Sequence, residues 1–164
     1  MSKKILVAGV GNIFLGDDGF GCEVAQRLVA AAADQPYPDD VKVEDYGIRG
    51  LHLALEIANG YDLVILIDTV SQGDAPGTIT VLEIDTASTG GGVPDAHDMN
   101  PQNVIDLLVD LGGQLDRMLI VGVEPSSLDE NLGLSEPLQG VVEQAVRVVQ
   151  ELIEEETAYA GKES

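Results

Sequence analysis

The sequence has one cysteine, no tryptophan and few basic residues, and each scarcity excludes a class of function. Cys22 alone cannot form an internal disulfide or supply a zinc or iron–sulfur site that needs several thiolates. Only 8 Lys and Arg stand against 29 Asp and Glu, which gives a net charge of −21. Binding to nucleic acid or to an anionic membrane depends on basic side chains, so we expect neither as a partner.

Long hydrophobic runs are also missing. The most apolar internal run covers only residues 63–67, whereas a membrane-spanning helix needs about 20 apolar residues. The apolar run at residues 5–9 is too short for the core of a signal peptide. With 164 residues, 45% of them hydrophobic, the chain fits one globular domain, and we expect a cytoplasmic protein. We assign residues 1–156 to this domain and 157–164 to a polar, frayed C-terminal tail.

Apolar runs alternate with helical patterns along the chain, which predicts an α/β fold with a mostly parallel sheet covered on both faces. The link at residues 69–77 is too short for a helical crossover, so the strand at 78–84 is expected to be antiparallel. In such sheets functional residues gather at the carboxyl ends of the strands. The remaining strands are predicted at 5–9, 41–43, 63–67 and 118–123, and helices at 18–33, 50–58, 101–111 and 137–155.

A glycine-rich turn follows the first strand, in the stretch 9–19. It does not match the dinucleotide-binding fingerprint, because Phe14 stands where the third glycine should be. Asp17 and Asp18 at the helix start would also repel a pyrophosphate. The stretch does not match the P-loop pattern either, because the lysine of that pattern is missing. We therefore expect no nucleotide.

Carboxylates lie where two predicted strands end. Asp17 and Asp18 follow the first strand, and Asp68 follows the fully apolar strand at 63–67. Each has a structural explanation as well: Asp17 as a helix cap, Asp18 as a residue of the first helical turn, and Asp68 as a turn cap. A charge at the end of a buried strand nevertheless needs a cleft, a metal or hydrogen-bond donors.

His97 lies in a long loop, at 86–98, of the kind that often carries function. The other histidine, His52, falls in a helical pattern where a surface role is expected. Two carboxylates and one imidazole would make a divalent metal site with open positions, although a solvated loop histidine is the simpler interpretation of His97. No nucleophile is evident, because Cys22 is expected to be packed on the first helix and no Gly-x-Ser-x-Gly elbow occurs.

Several short motifs together resemble the [NiFe]-hydrogenase maturation endopeptidases. They run in order over residues 4–150. The motifs are Gly9-Val-Gly11-Asn12, Asp17-Asp18-Gly19-Phe-Gly21, Asp45-Tyr-Gly-Ile-Arg-Gly50, Asp68-Thr-Val, Ala75-Pro-Gly77-Thr, the loop at His97, and Val121-Gly-Val-Glu-Pro125.

The resemblance implies a phosphorylase/hydrolase-like three-layer α/β/α sandwich around a five-stranded mixed sheet with one antiparallel strand. It implies an enzyme that removes the C-terminal extension of a hydrogenase large-subunit precursor after nickel insertion. By position, the family's metal ligands correspond to Asp18, Asp68 and His97. The first ligand is often Glu in the family, so Asp18 is one methylene shorter, and Asp17 competes for the role. The 45–50 loop departs from the family's Asp-Gly-Gly-Thr type, which suggests a partner preference of its own.

The expected mechanism uses nickel carried by the large subunit, which completes the coordination sphere of these ligands; another divalent cation would fit the same ligands. Asp45 is a candidate for positioning the substrate or for acting as a general base; the simpler interpretation is a loop carboxylate without a catalytic role. Arg49 would clamp a substrate carbonyl or form a surface ion pair. The alternative function is a non-enzymatic, chaperone-like nickel-binding module. We expect a monomer whose partner offers a basic surface.

Overall fold

The computed structural model describes residues 3–87 and 100–163, with side chains through residue 158. A short 3-10 turn at Gly16–Gly19 precedes the first α-helix. The described residues form five strands and five α-helices, in the order β1 (Ile5–Val10), α1 (Phe20–Ala31), β2 (Val41–Gly47), α2 (Gly50–Ile57), β3 (Leu63–Thr69), β4 (Ile79–Ile84), α3 (Pro101–Asp110), β5 (Arg117–Val123), α4 (Glu136–Gln139) and α5 (Val142–Glu163).

The five strands form one mixed sheet in the order β2-β1-β3-β5-β4. The pairs β1–β2, β1–β3 and β3–β5 are parallel, and β4 runs antiparallel to β5. This confirms the antiparallel strand predicted from the short connection after β3, which leaves no room for a helix to return the chain to the other end of the sheet.

Helices cover both faces of the sheet. One apolar core lies between the sheet and α1 and α5, and the other between the sheet and α2 and α3. All six residues of β1 are buried, as expected for a central parallel strand with helices on each side. The predicted three-layer α/β/α sandwich is confirmed.

The end of the chain differs from the sequence prediction of one helix over 137–155. Two helices occur instead: α4 ends at Gln139 with Gly140 as its C-cap, and α5 begins at Val142. Glycine disfavours a helix interior, which explains the interruption. Beyond residue 155 the helix continues to Glu163, so the polar stretch that follows Glu156 is helical. None of the described helices is both long and apolar enough to span a membrane.

Gly21 allows α1 to pack directly on the ends of two strands. A Cβ atom at this position would lie 2.0 Å from the carbonyl oxygen of Ile67 and 2.5 Å from that of Val10. Only glycine permits this approach. The 3-10 turn that carries Asp17 and Asp18 is therefore fixed at the carboxyl edge of the sheet, where β1 and β3 end.

Candidate functional site

Asp18 and Asp68 meet at the carboxyl edge of the sheet. Asp68 lies near the end of β3, and Asp18 lies in the turn after the neighbouring strand β1. Thr69 links the two carboxylates: its backbone N–H donates to Asp68 Oδ1 at 2.7 Å, and its hydroxyl donates to Asp18 Oδ1 at 3.2 Å. The second oxygen of Asp18 accepts a hydrogen bond from the backbone N–H of Asn12 at 2.7 Å.

The surroundings of Asp68 favour its protonated form. Burial raises the pKa of Asp68 to about 8; the hydrogen bond from Thr69 acts in the opposite direction, and the charge of Asp18 raises the pKa further. Asp68 therefore keeps its proton to a higher pH than an exposed aspartate does. A cation bound there would displace this proton, because carboxylate ligands bind metals in their ionised form.

Asp17 has a different role from its neighbour. Its side chain is buried and accepts hydrogen bonds from the backbone N–H groups of Ser126, Ser127 and Ser135 and from the Ser135 hydroxyl, at 2.7–3.0 Å. Burial raises the pKa of Asp17, but these hydrogen bonds outweigh it and bring the pKa below its ordinary value. The predicted helix-capping bond of Asp17 is not found at the 3-10 turn or at α1. Asp17 instead fastens the loop after β5, which leaves Asp18 to face Asp68.

His97, the third predicted ligand, lies outside the described residues. Within residues 3–87 and 100–163 there is no cluster of three or more side chains able to hold a metal ion. What the described chain supplies is a pair of carboxylates that both accept hydrogen bonds from Thr69. Such oxygen donors by themselves suit magnesium, calcium or manganese better than nickel, which favours imidazole or softer ligands.

Asp45 lies in β2, one strand further along the same edge. Its carboxylate accepts hydrogen bonds from the backbone N–H of Gly47 at 2.9 Å and from Gln26 Nε2 at 3.1 Å. In the described part of the chain no hydrogen bond joins it to Asp18 or Asp68. The hydrogen bonds of Asp45 therefore join it to α1 and to its own strand rather than to the pair.

Arg49 is held by the backbone rather than by a carboxylate. Its Nε donates to the carbonyl oxygen of Tyr46 at 3.1 Å and its Nη2 to that of Asp45 at 2.5 Å. The guanidinium carbon lies 5.6 Å from the centre of the Tyr46 ring. None of the ion pairs found among the described residues includes Arg49, so the predicted surface ion pair does not occur there.

Two further groups are structural. Cys22 is buried, donates its S–H to the carbonyl oxygen of Gly11, and has a raised thiol pKa because of that burial, so it is no nucleophile. Glu124 is buried at the end of β5 and accepts hydrogen bonds from the backbone N–H groups of Gln72 and Asp74. The sequence analysis assigned no role to Thr69. Only its position directly after Asp68 could have indicated that it contacts the carboxylate pair.

In a comparison with protein families, the chain matches the model described as hydrogenase maturation protease over residues 22–152. The chain is 33% identical over 151 residues to the hydrogenase 2 maturation protease of Escherichia coli (strain K12), covering 89% of this chain and 88% of that protein. It is 31% identical over 163 residues to the hydrogenase expression/formation protein HoxM of Azotobacter vinelandii, covering 98% and 77%.

The fold is also similar to solved structures. The hydrogenase maturating endopeptidase HybD from E. coli superposes with a TM-score of 0.72 at 30% identity, covering 93% of each chain. The maturation protease HycI from Thermococcus kodakarensis superposes with a TM-score of 0.66 at 25% identity, covering 93% of this chain and 92% of that one.

Proposed function

This chain belongs to the hydrogenase maturation protease family, and we propose that it removes the C-terminal extension from a [NiFe]-hydrogenase large-subunit precursor after nickel has been inserted. The observation that carries the proposal is the pair Asp18 and Asp68 at the carboxyl edge of the sheet, both of which accept hydrogen bonds from Thr69. Family membership makes the chain a peptidase; the nickel requirement and the substrate are the proposal.

We propose Asp18, Asp68 and His97 as the ligands that receive nickel already bound to the precursor. The two carboxylates alone would bind nickel only weakly, since oxygen donors suit harder cations better. Cysteine thiolates of the precursor, together with the imidazole, would supply the donors that nickel prefers. Recognition of a loaded precursor would then depend on ligands from both proteins, and an unloaded precursor would be left uncut.

Hydrolysis needs a water oxygen to bond to the scissile carbonyl carbon while the C–N bond breaks. A carboxylate of the pair would take the proton of the attacking water as general base and pass it to the departing amide nitrogen. The substrate-borne metal would polarise the carbonyl or activate the water. Asp45 is proposed to position the peptide from the neighbouring strand.

The test is the intact mass of a precursor, purified in nickel-loaded and metal-free forms and incubated with this protein. The proposal predicts loss of a C-terminal peptide from the loaded form only. Cleavage of both forms would keep the protease and refute the nickel requirement. An unchanged mass in both would favour the alternative of a nickel-binding, chaperone-like module, which changes the metal content of its partner but never its length.

A further inference from the structure

We propose that a cavity beside the carboxylate pair binds one apolar side chain of the precursor, close to the bond that is cut. The cavity has a volume of about 260 Å³ and lies between residues 11–14, which follow β1, and residues 45–49, at the end of β2. We call it the Ile48 cavity: Ile13, Phe14 and Ile48 are its apolar walls, and Cys22, Asp45 and Arg49 also line it. This inference rests on the proposed function and specifies its substrate.

The cavity and the carboxylate pair share one loop. Asn12 lines the cavity, and its backbone N–H is bound to Asp18 Oδ2 at 2.7 Å. The cavity lies at the carboxyl ends of β1 and β2. Asp68 lies on β3, which is two strand positions from β2 in the sheet. Since neighbouring strands lie about 4.8 Å apart, about three residues of extended peptide connect the two places. A peptide bond at Asp68 therefore brings a nearby side chain to the cavity.

The size of the cavity suits a side chain of a bound peptide. Pockets for small-molecule ligands usually have volumes of roughly 300–1,000 Å³. The Ile48 cavity, at about 260 Å³, is smaller than this and open to solvent along its exposed walls. It has room for one large side chain of a partner that lies across its mouth.

The chemistry of the walls selects an apolar side chain. The side chains of Ile13, Phe14 and Ile48 are 49%, 62% and 49% exposed. Apolar surface in contact with water is unfavourable, and a partner that covers these side chains would remove it from water. Of the polar groups in the wall, Asp45 accepts from Gly47 and Gln26, and the neutral Cys22 thiol donates to Gly11. The positive charge of Arg49, which also lines the cavity, opposes the entry of a second cation.

Arg49 provides the polar contact at the rim. Two of its N–H groups are bound to backbone carbonyls of Tyr46 and Asp45, which fixes the plane of the guanidinium. A guanidinium has five N–H donors, so others stay available for a backbone carbonyl of the bound peptide. An apolar pocket with a fixed carbonyl-binding donor at its edge is suited to an extended peptide that inserts one side chain.

Site-directed crosslinking tests the proposal without requiring cleavage. The only native cysteine is buried, so an Ile48→Cys variant can be labelled at one place with a benzophenone maleimide. Val109→Cys is the matched control, since Val109 is 48% exposed and Ile48 is 49% exposed. Val109 lies near the end of α3, which leads into the start of β5 at the amino edge of the sheet, opposite the carboxyl edge where the cavity lies. Each labelled protein is mixed with the nickel-loaded precursor, irradiated and digested.

We expect the label at position 48, and not at 109, to be joined to the precursor segment that spans the processing bond. Adducts elsewhere on the precursor, equal adducts from both positions, or none from position 48 would overturn the proposal. If the wild-type protein cleaves while the adduct is missing, the inference fails and the proposed function stands. If the adduct forms and no cleavage occurs, the proposed function fails instead.

Kinetics give a second, independent measurement. Ile48→Asp should lower kcat/KM for the loaded precursor at least about tenfold, mainly through KM, because a charge in an apolar subsite weakens binding. Ile48→Leu should restore most of the loss, and Val109→Asp should have no effect. An Ile48→Asp variant that processes the precursor at the wild-type rate would refute the subsite.

Discussion

At the scale of single residues, the two adjacent acids Asp17 and Asp18 bind different parts of the molecule. The carboxylate of Asp17 accepts hydrogen bonds from the segment after β5. Asp18 and Asp68 instead both accept hydrogen bonds from Thr69. The sequence could place both at the end of β1 but could not separate them, because the donors to Asp17 are more than a hundred residues away. That Asp18, Asp68 and His97 bind metal stays a prediction.

Asp17→Asn should lower the free energy of unfolding by about 3 kcal/mol at neutral pH, since buried backbone N–H groups would lose a charged acceptor. The folded-state pKa of Asp17 lies below its ordinary value of 3.8, so its contribution is complete above that value and is lost as the pH falls through the folded-state pKa. Urea unfolding from pH 7 to pH 3 should therefore show the gap to wild type closing in acid. A gap that stays constant would contradict this role.

Asp68→Asn should have the opposite effect on the metal-free protein. The raised pKa of about 8 means that the unfolded state ionises first, so the wild type loses stability as the pH rises from about 4 to 8. A neutral amide avoids this loss, and we expect the variant to be more stable by up to about 4 kcal/mol at pH 7 and equal to wild type near pH 4. Thermal melts in EDTA across this range provide the check; a variant less stable at pH 7 would refute the account.

At the scale of elements, the strands and their directions were predictable because they follow from apolar runs and connection lengths. The short link after β3 indicated the antiparallel β4. The division of the last helix at Gly140 was missed, since its apolar periodicity continues across the break. The contact between α1 and the strand ends was also invisible in the sequence, because it is a distance between elements rather than a local pattern.

Gly21→Ala should therefore destabilise the protein by about 3 kcal/mol, because the new methyl would overlap the backbone carbonyls of Ile67 and Val10. We expect processing to fall as well, since α1 carries the turn with Asp18. Gly140→Ala is the control: a Cβ there meets its nearest atom at 3.6 Å, and its stability should change by less than about 1 kcal/mol. Equal melting temperatures for Gly21→Ala and wild type would refute the close packing.

At the scale of the whole molecule, the dominant property is the charge of −21. Most of the carboxylates cannot be paired by 8 basic residues, so they repel one another across the surface. The same charge would draw the protein to a basic surface on its partner. The monomeric state stays a prediction.

Salt should accordingly stabilise the protein. Raising sodium chloride from 10 mM to 0.5 M shortens the screening length from about 30 Å to below about 10 Å and weakens this repulsion. We expect the melting temperature to increase by about 5 °C, measured by differential scanning calorimetry. A melting temperature that falls with salt would show that the ion pairs outweigh the repulsion.

The most direct test of the central claim is the mass of a nickel-loaded large-subunit precursor after incubation with wild-type protein or with Asp68→Asn. The account predicts that the wild type releases a C-terminal peptide, while Asp68→Asn, folded and at least as stable, leaves the precursor intact. Full processing by Asp68→Asn would contradict the account, because the carboxylate pair could then not be the site of cleavage.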